Sequence, residues 1–187
     1  DEKITFEELT ESVTGIAADF TYHINENFKL YSEFAILSSG KTYDFPNGEG
    51  TFRPGYGLIP FGLKGHYGPF NFKMEYRKNS DYFMYNFWNR SYDISRSMVD
   101  GTNVVSKASQ LYRYGAMQGI YLSAGGSIFN IVTLGLGYQD LSGKVWNDTL
   151  QDFEDSNNRS FVSTISLNTS SIPKVKYVNA FYQNTNV

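Results

Sequence analysis

An antiparallel, up-and-down all-β architecture is the fold class this sequence predicts, and three observations predict it. Apolar and polar residues alternate with a period of two along several segments of about ten residues. Short breaks rich in Gly and Asn join these segments in pairs. Composition favours strands and turns: Phe, Tyr and Trp supply 17% of the 187 residues, and Gly occurs 17 times against 5 for Pro.

The polar, acidic stretch 1–12 reads as a lead-in loop. The first hairpin follows. Apolar residues occupy the even positions Ile16, Ala18, Phe20, Tyr22 and Ile24, and the same parity resumes at Phe28, Leu30, Phe34 and Ile36. A three-residue turn at Asn25-Glu26-Asn27 pairs Ile24 with Phe28, Tyr22 with Leu30, Ala18 with Phe34 and Ile16 with Ile36. The odd face then pairs His23 with Lys29, Thr21 with Tyr31, and Asp19 with Glu33. A helix does not hold a period of two over this length.

A second hairpin joins 57–67 to 70–78 across Gly68-Pro69. Ile59, Phe61, Leu63 and Tyr67 are expected on one face, and Pro60, Gly62, Lys64 and His66 on the other. Phe70, Phe72, Met74 and Tyr76 alternate with Asn71, Lys73, Glu75 and Arg77, and a tight turn sets Gly65 opposite Phe72. A third pair, 115–126 and 128–141, is expected to turn at Gly125-Gly126-Ser127, and a fourth, 160–172 and 174–186, near Ile172-Pro173. The expectation is eight strands in four hairpins.

Connections between the hairpins, at 38–56, 80–113 and 142–159, are long. Structureless connections of that length are uncommon in a compact domain. Their alternation with tight turns is the layout of a membrane-spanning barrel. No run of about 18 apolar residues is present, so a transmembrane helix is not expected. In a lipocalin-like soluble barrel or a sandwich the apolar face points inward; in a membrane barrel it points to lipid. Small residues on the polar face (Gly15, Ala17, Gly62, Gly135, Gly137) suit a crowded lumen. Aromatic residues near strand ends (Tyr22, Phe28, Tyr67, Phe70) and the run 82–88 suit interfacial girdles. The expected fold is therefore an antiparallel up-and-down transmembrane β-barrel, with 1–187 as one barrel domain or an internal portion of one. A soluble lipocalin-like ligand-binding barrel is the alternative.

The segments GIAADFTYHINENFKLYSEFAIL (15–37), GPFNFKMEYRKNS (68–80) and IPKVKYVNAFYQNTNV (172–187) carry a resemblance to bacterial outer-membrane β-barrel proteins of the porin-like kind. The resemblance lies in strand-turn-strand style across nearly the whole chain. It implies the outer membrane of a Gram-negative bacterium and passive transport of small hydrophilic solutes through a channel. A non-conducting anchor, adhesin or assembly barrel is the alternative. The chain departs from the family at its ends: both termini fall on the long-loop side, and NTNV closes without an aromatic. The expectation is an internal piece of a larger barrel; a complete eight-stranded barrel with unusual termini is the alternative.

The pore-lining candidates are the charged residues of the polar face: Asp19, His23, Lys29, Glu33, Lys64, His66, Lys73, Glu75 and Arg77. Asp19 opposite Glu33 requires a neighbouring cation, and Lys29 or Lys73 is expected to supply it. The 80–113 connection either extends outward as a hairpin or folds inward to narrow a pore, anchored by Tyr92, Asp93 and Arg96. Sugar stacking on Tyr85, Phe87 and Trp88 competes with a girdle role. The acidic segment 147–158 lacks EF-hand spacing and reads as a solvated loop.

Catalysis is not expected. His23 and His66 are the only histidines, Cys is absent, and GLGYQD at 135–140 lacks the third glycine of a dinucleotide fingerprint. No metal or cofactor is expected, and the net charge of −3 speaks against nucleic acid. Membrane lipid and small hydrophilic solutes are the expected partners.

Overall fold

A computed structural model describes residues 12–45, 50–88, 92, 96–100, 103–129, 131–169 and 178–186. Eight strands form one antiparallel sheet in the order β1 (Val13–His23), β2 (Phe28–Ser39), β5 (Tyr56–Tyr67), β6 (Phe70–Asn79), β9 (Tyr114–Ile128), β10 (Val132–Asn147), β11 (Asp152–Leu167) and β12 (Val178–Asn186). Each strand pairs with its sequence neighbours in the sheet, which is the up-and-down topology expected. Two small hairpins sit in the connections: β3 (Tyr43–Asp44) with β4 (Thr51–Phe52), and β7 (Ser97–Asp100) with β8 (Asn103–Ser106). A 3-10 helix, Ser109–Arg113, leads into β9. The sheet is not closed: β1 and β12 are its edges among the described residues.

The first hairpin follows the sequence pattern residue by residue. Tyr22 faces Leu30, Ala18 faces Phe34, Ile16 faces Ile36, and His23, Thr21 and Asp19 face Lys29, Tyr31 and Glu33. Asn25 makes the turn, its Oδ1 accepting the backbone N–H groups of Asn27 (2.8 Å) and Phe28 (2.9 Å). At the next turn Gly68 takes φ +56°, a left-handed conformation that suits glycine. Gly65 then faces Phe72, whose ring lies where a Gly65 side chain would begin.

Pro60 changes the expected pattern of β5. The strand carries one extra residue against both neighbours: Glu33 pairs with Ile59 and Tyr31 with Gly62, while Tyr76 pairs with Phe61 and Lys78 with Leu58. This bulge accommodates a residue that has no N–H to give the ladder. It also breaks the parity. Ile59, expected beside Phe61, instead joins the polar face and is buried, while Phe61 stays exposed with the apolar residues.

Two turns differ from expectation. Gly125 and Gly126 lie within β9, which runs to Ile128 and pairs there with Val132 of β10; Phe129 takes φ 51° just beyond it. The 142–159 connection is a continuation of β10 and β11 paired as far as Asn147 and Asp152, not a long loop. Asn147 builds its tight tip: its Oδ1 accepts from the N–H groups of Thr149 (2.8 Å) and Leu150 (3.1 Å). Polar β-rich sequence and loop sequence look alike there, and only cross-strand pairing separates them. The expected Ile172-Pro173 turn lies outside the described residues.

Among the described residues nothing covers the apolar face. Phe20 is 67% exposed, Phe61 54% and Tyr67 77%. The main buried core sits at the loop end instead. Leu37, Tyr43, Phe52, Phe83, Phe87, Leu111, Tyr112 and Trp146 pack together there, drawn largely from the connections.

The Gly65–Phe72 contact is testable. Gly65→Val is expected to lower the denaturant-unfolding midpoint by an amount equivalent to about 1–3 kcal/mol. Gly65→Val with Phe72→Ala should recover part of that loss, because the ring no longer occupies the space.

Candidate functional site

Strand register sets the polar face in rows that cross the sheet. One row runs His23, Lys29, Lys64, Lys73, Ser123, Gly137. The next runs Thr21, Tyr31, Gly62, Glu75, Tyr121, Gln139, Ser160. Asp19 and Glu33 face each other in the row beyond. All nine pore-lining candidates of the sequence thus fall on one face, but they do not form one group.

Three lysines directly across from one another repel. The row is tolerated because two of them lean toward carboxylates and rings. Lys73 Nζ lies 2.5 Å from Glu75 Oε1. Lys64 Nζ lies 3.8 Å from Glu33 Oε1 and 3.9 Å from the centre of the Tyr31 ring. The cation beside Glu33 is therefore Lys64, not the expected Lys29 or Lys73. His66 faces Asn71 next to the turn, outside this arrangement.

Glu75 is the centre. It is 1% exposed, and its carboxylate is met from three sides. Tyr31 donates its hydroxyl to Oε1, Lys73 approaches the same oxygen, and Arg77 donates Nε–H to Oε2 at 2.8 Å with its NH2 group at 2.6 Å. Arg77 stacks on Tyr121 at 3.8 Å and donates from NH1 to Gln139 Oε1 at 3.0 Å. Gln139 donates onward to Asn158 Oδ1 at 3.2 Å. The chain of contacts runs from β2 to β11. Tyr31 and Glu75 stand two strands apart, about 10 Å at the usual strand spacing. The Tyr31 ring bridges that distance by lying over Gly62, where a Cβ would overlap it.

Other small residues of the polar face serve the same purpose at the loop end. Residues 81–88 fold back over the polar face of the sheet, while Ser97–Asp100 and Asn103–Ser106 of the same connection pair as a hairpin. Phe83 covers Gly57 and Trp88 covers Gly15. The Tyr85 hydroxyl reaches the carbonyl oxygens of Lys78 (2.8 Å) and Leu58 (3.1 Å). Lys107, buried, donates from Nζ to Phe87 O at 2.6 Å. Asp81 Oδ1 accepts the N–H of Ala116 at 2.7 Å, next to a register shift between β9 and β10. Within the 82–88 run Phe83 and Phe87 are buried and so cannot serve as girdle residues, while Trp88 stays 45% exposed.

Of the expected anchors, Tyr92 packs on Phe87 and Trp88. Arg96 contributes its carbonyl, which accepts the Lys107 N–H at 2.8 Å. Asp93 lies outside the described residues. A cavity of about 570 Å³ lies between the folded-back segment and β6, β9, β10 and β11.

Tyr31, Gly62, Tyr121, Gln139 and Asn158 were not among the charged candidates. Tyr31 and Gly62 left a signal: a large ring and a glycine adjacent in register on an otherwise charged face. Gln139 and Asn158 left none, because amides are frequent throughout the chain.

No protein-family model matches the chain, and no curated protein matches it. Function must be read from the arrangement of its residues.

Two outcomes follow from this geometry. Glu75→Gln removes the charge that Lys73 and Arg77 share, and is expected to destabilise the fold by about 3–5 kcal/mol in denaturant unfolding. Burial pushes the Tyr85 phenol above its ordinary range, so its neutral form persists past pH 10. A raised value means that the anchoring by Tyr85 is fully present below pH 10 and is lost as pH rises through the folded-state value. Protease cutting within 80–88 should therefore stay slow to pH 10 and quicken above it. Tyr85→Phe should remove that rise.

Proposed function

We propose that this chain forms the wall of a porin-like channel in a bacterial outer membrane, passing small hydrophilic solutes by diffusion. The observation that carries this reading is the division of the sheet into two faces. One face is apolar and exposed across all eight strands, from Ile16 and Phe20 on β1 to Tyr182 on β12. The other holds the charged rows and the buried Glu75 network. A soluble barrel requires the reverse: apolar side chains enclosed and charged ones in water.

The extent of the apolar face supports a bilayer. From Ile16 to Ile24 it runs over nine residues, at the lower end of the roughly 9–11 that a tilted membrane-spanning strand needs. Tyr22, Tyr67 and Phe70 are exposed at its turn end, as interfacial aromatics are. Toward the loop end the Tyr138–Phe161 pair gives way to Asp140 and Arg159, paired at 3.1 Å. A bilayer also demands that the backbone groups along β1 and β12 find partners, in each other or in further strands. Among the described residues no helix is long and apolar enough to cross a membrane, which leaves strands unaddressed.

A second reading, a non-conducting outer-membrane anchor, adhesin or assembly barrel, draws support from how fully Tyr31, Glu75, Arg77 and the folded-back segment occupy the polar face. Conductance separates the two. Full-length protein reconstituted in planar bilayers is expected to give discrete current steps; silent insertion would reject the channel. Recovery as a folded monomer in detergent-free buffer would reject the membrane altogether. Lys29→Glu with Lys64→Glu reverses two charges of the cationic row and should shift the reversal potential in a KCl gradient toward cation preference.

A further inference from the structure

We propose that His23, Lys29 and His66 form a charge filter at the turn end of the polar face, one that favours small anions and does so more strongly as pH falls. This rests on the channel reading and names the solute charge that the channel selects. The chain has two histidines, and strand register brings both to the same place. His23 ends β1 and faces Lys29, near the start of β2. His66 lies beside the turn of the next hairpin, where its N–H donates to Asn27 O at 2.9 Å. Lys29 pairs with Lys64, so His66 is its diagonal neighbour on β5. Directly opposite residues stand about 5 Å apart and diagonal ones about 7–8 Å. Lys29 therefore sits between the two imidazoles, and all three residues are exposed.

Availability decides which charges act on a solute. Glu33 meets Lys64 at 3.8 Å, and Glu75 meets Lys73 at 2.5 Å. Among the described residues no ion pair holds His23, Lys29 or His66. Around His23 stand Lys29, opposite, and Tyr31, diagonal, both on β2. Around His66 stand Asn27 and Lys29 on the β2 side, and Asn71 and Lys73 on the β6 side. Glu26, exposed in the turn, is a carboxylate at this end, and Asp19 lies further along β1 toward the loops.

Histidine ordinarily gains its charge between about pH 8 and pH 5, while carboxylates stay ionised over most of that range. Acidification thus adds the two imidazolium charges to Lys29, each within about a Debye length of it. An anion entering here meets a deeper attraction and a cation a higher barrier. Tyr22, Tyr67 and Phe70 are exposed at the same end of the opposite face, which sets the filter at the mouth of the channel.

The test measures reversal potentials of the full-length protein in planar bilayers across a dilute KCl gradient, where screening is weakest. The chloride-to-potassium permeability ratio is expected to rise by about twofold or more between about pH 8 and about pH 5.5. His23→Gln with His66→Gln should abolish that rise and leave the circular dichroism unchanged, since both side chains are exposed. Lys29→Gln should lower the ratio at both pH values and keep the rise. A ratio that does not rise in the unaltered protein, a rise that persists in the double histidine variant, or a Lys29→Gln ratio equal to that of the unaltered protein overturns the filter. Current with a pH-independent ratio rejects the filter and keeps the channel; absence of current in every sample rejects the channel, and the filter with it.

Discussion

The contact on which the polar face depends is the Tyr31 ring lying across Gly62 to reach Glu75. A buried carboxylate is costly unless charges and hydrogen bonds surround it. Glu75 has neighbours of opposite charge on its own strand, Lys73 and Arg77, two residues away on either side. Those two alone would leave Oε1 open toward β5. Tyr31 closes that side, and it does so only because the intervening position carries no side chain. Arg77, fixed by Glu75, then stacks on Tyr121 and orients Gln139 and Asn158. One glycine thus permits an ordered polar layer spanning most of the sheet.

The same economy of small residues places the loop. Gly57 and Gly15 make shallow seats on the polar face, and Phe83 and Trp88 fill them. Tyr85 is tied to backbone carbonyls of β5 and β6. The hydrophobic core that results lies at one end of the sheet and is built from connections, where most β proteins build theirs between sheets. Among the described residues the remaining apolar surface lies exposed on the opposite face of the sheet. The proposed channel sets that surface against bilayer hydrocarbon.

Much of the first hairpin and of β6 was legible because alternation there is strict and a slip of one residue would move every side chain to the wrong face. The pairing of Asp19 with Glu33 and of Gly65 with Phe72 could be written from spacing alone. Legibility failed at particular residues for identifiable reasons. Pro60 induces a bulge, and a bulge shifts parity by one, which moved Ile59. Gly125-Gly126 looks like a turn, yet glycine is equally at home where Phe70 crowds a neighbouring strand. The acidic stretch 147–158 looks like a loop, yet the tight Asn147 turn lets the hairpin extend through it.

The sequence by itself determined the all-β class, the up-and-down order, which residues share a face wherever no bulge intervenes, and the charged identity of one face, because a period of two is a local property of the chain. Only the tertiary structure decided which carboxylate is buried, which lysine answers Glu33, and whether 82–88 lines the outside or folds over the polar face. Those outcomes depend on side chains meeting across three or more strands, and on glycines whose value lies in the ring that covers them. Neither is a property of spacing along the chain.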